Sequence, residues 1–165
     1  MKHLKIFEDY NNSYEKFLNQ IGLDYDILLD TIENEGDLIS TEPQEVLDNK
    51  LDYLIDLKKQ KDIILYRVIF TKDKSEINID NLGLCYVSDL EDFHDDMLNY
   101  LYHNAKKVNK KLKETDCYLI TIKTDISNID FKSTLDTFSE HPNENEITLY
   151  ERHNSIILEI DNYYQ

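Results

Sequence analysis

Glycine is nearly missing from this chain: Gly22, Gly36 and Gly83 are the only three in 165 residues. That leaves no material for a Gly-x-Gly-x-x-Gly turn or a P-loop, so both glycine-built phosphate cradles are excluded by content. No serine sits in a Gly-flanked elbow, which argues against an α/β-hydrolase. The two cysteines, Cys85 and Cys117, make neither a disulfide framework nor a zinc pattern. Their apolar contexts point to reduced thiols in a cytoplasm. No run of 18 apolar residues exists, so no spanning helix is expected. The start, MKHLKIFEDYNNS, has no apolar core of a secretory leader. Cations are scarce as well. Lys+Arg number 18 against 34 Asp+Glu, a net charge of −16 with a pI near 4.5. Such a surface repels phosphate backbones and anionic membranes, so neither nucleic acid nor membrane is an expected partner, and a protein target is.

The bias among the residues present is informative. Sixteen of the eighteen cations are Lys, the exceptions being Arg67 and Arg152; Ile, Asn, Asp and Tyr abound and Trp is absent. This composition fits drift in an AT-rich genome, bacterial or phage. Where Lys is the default cation, an Arg in an apolar segment has a geometric task.

The expected organisation is α+β, with a helical region over 1–61 and an α+β body over 62–165. Tyr14, Phe17, Leu18 and Ile21 recur at spacings of three and four, and Gly22 offers a helix C-cap. A second helix is predicted over 24–33. A third starts near Pro43, where the missing N–H costs little, and ends in the Lys-rich stretch 58–61. From residue 62 the pattern changes to β-formers: a buried strand over 63–70, a short Ile77/Ile79 alternation and a strand over 84–87. Ser88 to Glu91 reads as a capping box opening a long helix that runs to about 111. A strand over 117–123, a polar loop over 130–143 and two strands at 145–151 and 155–160 complete the body. Arg152-His153-Asn154 between the last two reads as a hairpin turn.

Three features carry candidate chemistry. Alternation along 63–70 puts Arg67 among Ile63, Leu65 and Ile69, where a guanidinium needs a partner such as a carboxylate or phosphate. Glu144 and Glu146 lie two apart in a predicted strand, so both carboxylates share a side and raise at least one pKa. Between them Gly83 precedes Tyr86, whose ring can stack on a flat ligand, and Ser88, which can bind a ribose but is already explained as a cap. Histidine carries little: His94-Asp95-Asp96 places neighbours on different helix faces, and no other His has ligand spacing, so no metal site is expected.

In order and spacing these features resemble the mono-ADP-ribosyltransferase family, whose pattern is an Arg on an early strand, a Ser-Thr-Ser-like stretch after a Gly, and a [Gln/Glu]-x-Glu strand. The matching segments are Tyr66-Arg67-Val68, Leu82-Gly83-Leu84-Cys85-Tyr86-Val87-Ser88 and Pro142-Asn143-Glu144-Asn145-Glu146-Ile147. The likeness covers roughly 62–161; the Ser-type stretch keeps one hydroxyl, Ser88, at its end. It implies a body of two packed, mainly antiparallel sheets forming a cleft, with NAD bound as substrate. Arg67 would hold the phosphates, Tyr86 stack near nicotinamide, Ser88 touch ribose, Glu146 stabilise the oxocarbenium-like transition state and Glu144 orient the acceptor. The loop 130–143 would be the substrate-recognition turn. Arg67, Tyr86 and Glu146 are then expected on one concave surface. The competing expectation is a non-enzymatic acidic inhibitor, such as a phage counter-defence protein, that mimics nucleic acid on a basic groove. Dividing the chain after residue 61 gives net charges of −7 and −9, so neither part is a dedicated acidic tail.

Overall fold

The structure is a computed structural model and describes residues 13–35, 42–92, 116–143, 145–151 and 153–163. The predicted long helix after Asp92, with its acids Asp95 and Asp96, lies outside them, as do Glu144 and Arg152. The chain forms two compact units. One comprises 1–60 with 130–145, the other 61–129 with 146–165.

The first unit is helical. Helix α1 covers 13–21 and buries Tyr14, Phe17 and Leu18, as the three-four spacing requires. It ends at Gly22, whose φ of +73° lets Leu23 N reach Leu18 O at 3.0 Å, the six-to-one bond of a left-handed C-cap. Asp24 then caps α2 (Tyr25–Glu35), its Oδ1 accepting from Asp26 N and Ile27 N. Helix α3 (Pro43–Leu57) opens on Pro43 and buries Leu47, Leu51, Leu54 and Leu57 on one stripe. The segment expected to be a polar loop is instead helix α4 (Phe131–Glu140). Asp130 caps it through Ser133 N at 3.0 Å, and Phe131, Thr134, Leu135, Phe138 and Ser139 form its buried face. Phe131 meets Phe17 edge-on at 5.7 Å. The loop that the family resemblance uses as a recognition turn is therefore core-forming structure. Its polar composition concealed an i, i+3, i+4, i+7 stripe.

The second unit holds one five-stranded antiparallel sheet in the order β4-β2-β1-β3-β5. The strands are β1 (Asp62–Phe70), β2 (Cys85–Val87), β3 (Cys117–Asp125), β4 (Glu146–Thr148) and β5 (Ile156–Asn162). A second sheet is not found among the described residues. The Ile77/Ile79 stretch lies in turn structure, with 3₁₀ turns at Lys74–Glu76 and Ile79–Asn81. Nor do the last two strands form a hairpin: β4 and β5 lie at opposite edges, β4 against β2 and β5 against β3. Beyond the ladders, Ile129 bridges Leu149 and Tyr150 N donates to Asn128 O. These bonds join the continuation of β3 to that of β4, so the sheet is curled. Leu65, Ile120, Ile122 and Ile147 are fully buried on its inner face.

Candidate functional site

Arg67 is placed by β1 and held by β2. Its Nη1 donates to the Cys85 carbonyl, and its guanidinium lies 5.8 Å from the Tyr86 ring centroid. The carbonyl is free for a local reason. Leu84 O is already taken by Leu149 N, alternation turns Cys85 O to the β1 side, and β1 pairs with β2 only at Tyr66–Val87. Gly83, with φ +79°, closes over the arginine: a Cβ there would stand 3.0 Å from Nη2. The Arg67 Nε is buried with no hydrogen-bond partner among the described residues. Arg67 thus has a partner, as its apolar setting demanded, but the partners are a carbonyl and a ring.

The expected clustering of three residues is met by two. Tyr66, Val87 and Glu146 are in register across β1, β2 and β4 and share a face. Arg67, Tyr86 and Ile147 are on the other. Tyr86 is 2% exposed, donates to Gly83 O at 3.1 Å and lies against Arg67, so it presents no open stacking face on that side. Glu146 is near Cys85 instead. Burial first, and then this carboxylate, raise the Cys85 thiol pKa, against the pull of Arg67. Ser88 is half-buried, and beside it Asp89 Oδ1 accepts from Glu91 N at 3.0 Å. Both thiols are free, and burial pushes Cys117 up to about 12.

A residue that sequence reasoning set aside turns out to be the best anchored polar group here. His153 Nδ1 is 2.8 Å from Ser155 Oγ, which donates at 2.7 Å to Thr124 Oγ1, which also accepts from Asn128 Nδ2. Ser155 and Thr124 are buried, and the His153 ring meets Tyr86 edge-on at 6.4 Å. Burial lowers the His153 pKa, with Asp80 pulling the other way. His153 lines a cavity of about 460 Å³ together with Asp80, Gly83, Leu84, Glu151 and Asn154. The only signal in the sequence was the polar cluster 151–155, which also reads as a turn.

In the first unit, Tyr14 and Tyr25 stack in parallel 6.4 Å apart. Their hydroxyls donate to Asp52 at 2.8 Å and to Asp48 at 2.7 Å, one helical turn apart on α3. Burial and those carboxylates push both tyrosine pKa values far above the ordinary 10. The acids around them form rows. Asp26, Asp30 and Glu33 follow one stripe of α2; Glu45, Asp48, Asp52 and Asp56 follow one stripe of α3, with Lys59 paired to Asp56 at 2.6 Å. Among the described residues no group of three His, Cys, Asp or Glu is arranged to hold a metal ion, and no helix is long and apolar enough to cross a membrane. No protein-family model, curated protein or solved structure matches the chain.

Proposed function

We propose that the protein acts by binding, as a non-enzymatic acidic inhibitor that occupies the nucleic-acid site of a basic protein. The observation that carries this reading is the pair of carboxylate stripes on α2 and α3. From Glu45 to Asp56 the charges advance by three or four residues. At 1.5 Å per residue they fall roughly every 5.5 Å, a regular row of anionic groups that a row of cations can meet. The overall charge of −16 supplies the long-range attraction that steers such an encounter.

The test is displacement of fluorescein-labelled duplex DNA from a lysine-rich, histone-type protein. Displacement is expected at about 50 mM salt and is expected to be lost by about 300 mM, because exposed charges are screened beyond ~6–14 Å over that range. Replacing Asp26 and Asp30 by Asn, and Glu33 and Glu45 by Gln, should weaken it about tenfold, mainly in the on-rate. These four side chains carry no cap or ion pair among the described residues. No displacement at low salt, or an unweakened variant, rejects the reading.

A second reading, an ADP-ribosyltransferase-like protein using NAD, with a two-sheet cleft fold, has one observation in its favour: Arg67, Gly83 and Tyr86 are neighbours. It ranks behind because the Arg67 guanidinium is engaged internally and Glu146 is registered on the other face. Absence of heat on titrating NAD removes it.

A further inference from the structure

The second unit contributes a cavity of its own. We infer that the cavity beside His153 binds a guanidinium group. This rests on the binding reading above and deepens it, because it names the side chain by which a basic partner is gripped.

The polar lining is rich in acceptors. Asp80 and Glu151 bring carboxylates, Asn154 an amide oxygen, and His153 a ring nitrogen. The hydrogen-bond chain beneath the imidazole sets which nitrogen that is. Ser155 gives its proton to Thr124, so it accepts from His153 Nδ1. The tautomer that completes this chain carries its proton on Nδ1, which leaves Nε2 as an acceptor. Burial outweighs the pull of Asp80, so the ring is neutral at pH 7.

Among the described residues, the charges facing the cavity sum to one negative. Asp80 and Glu151 have no ion-pair partner among the described residues. Arg67, behind Gly83, offsets one of them. A single cation is therefore compensated, and an anion is repelled by both carboxylates. Two features select a guanidinium over an ammonium. A guanidinium offers five donors in a plane and no acceptor, matching a lining rich in acceptors. It is also weakly hydrated, and Ile79 and Leu84 supply apolar walls for its flat face. The volume, about 460 Å³, has ample room for a guanidinium with its carbon stem.

The site is built before a ligand arrives. Asn78 holds the Asp80 turn by accepting from Asp80 N at 3.1 Å. Tyr86 fixes Gly83 O, and the buried Ser155–Thr124 pair fixes the imidazole. Little ordering entropy is then left to lose on binding.

The experiment follows the His153 ring by NMR in the full chain at pH 7 while methylguanidinium is added. Saturable shifts are expected. Asp80→Asn with Glu151→Gln should weaken binding by about tenfold or more, the scale of lost charge-assisted hydrogen bonds. Asp73→Asn, outside the cavity, should leave it unchanged, and methylammonium should bind about tenfold more weakly. Unsaturable shifts, equal shifts in the double variant or equal affinity for methylammonium overturn the inference. A Gly-Ser peptide carrying one Arg distinguishes the sources. Competition by it supports a protein side chain. If methylguanidinium binds and the peptide does not, the source is a free guanidine compound and the link to a basic partner is overturned. Oligolysine separates the two proposals: if it binds the chain while methylguanidinium does not, the acidic-surface reading stands and this one falls.

Discussion

At the scale of single residues, Gly83 and Gly22 are a controlled pair. Both have positive φ, but a Cβ on Gly22 would meet nothing within 4 Å, whereas one on Gly83 would crowd Arg67. Gly22→Ala is expected to cost about 1 kcal/mol from backbone strain alone. Gly83→Ala is expected to cost at least about 1 kcal/mol more, because Arg67 is anchored to Cys85 O and cannot retreat freely. Urea unfolding of the two variants measures the difference, and equal losses would remove the Arg67 contact from the account. The same neighbourhood explains what single residues reveal in a sequence. That Arg67 required a partner followed from its apolar alternation. Which partner depended on a ladder only one pair long, and no residue spacing encodes that. His153 was less legible still, since its anchor, Thr124, is 31 positions from the serine that links them.

At the scale of elements, helices with strong periodicity and clear caps were legible: α1, α2 and α3 were expected within a few residues of where they occur. Helix α4 was hidden because Lys132, Ser133, Asp136 and Thr137 dominate its composition, although Asp130 and the Phe131–Leu135–Phe138 stripe were present to be counted. The pairing of β4 and β5 was illegible because a turn-rich stretch between two strands suggests local pairing, while the sheet order is fixed by distant partners. Between helices, the stacked tyrosines tie α1 and α2 to α3, and their titration has a definite sign. Both folded-state pKa values are raised, so the folded state holds these protons more tightly. The clamp's contribution is full below about pH 10, the ordinary tyrosine value, and is lost as the pH rises above it. Tyr14→Phe and Tyr25→Phe should each cost about 1 kcal/mol at pH 7, since each leaves an aspartate without its donor. The double variant should also show a shallower decline of helical circular dichroism between about pH 10 and 12. A decline as steep as that of the wild type would place alkaline sensitivity elsewhere.

At the scale of the whole molecule, self-repulsion dominates. A chain with a net charge of −16, whose described ion pairs are exposed Lys–Asp contacts, gains little from pairing and loses to like-charge crowding. Its melting temperature should therefore rise as sodium chloride goes from about 0.02 to 0.3 M, by several degrees, because screening relieves repulsion faster than it weakens surface pairs. A flat or falling melting temperature over that range would mean the carboxylates are compensated in a way the fold does not display. The two-unit layout adds a topological point, since the chain leaves the sheet after Ile129, builds α4 and returns at Glu146.

Ile129, where that excursion leaves, is bridged to Leu149, just past β4, and with Tyr150 N on Asn128 O the bridge fastens it at the base. A loop fastened in this way can melt and re-form without unpicking the strands that flank it. The amide protons of the chain from 131 to 150 should accordingly fall into two clocks. Those of α4 would trade with deuterated solvent through brief local openings. Those of Leu149 and Tyr150, at the fastening itself, would wait for the sheet to come apart.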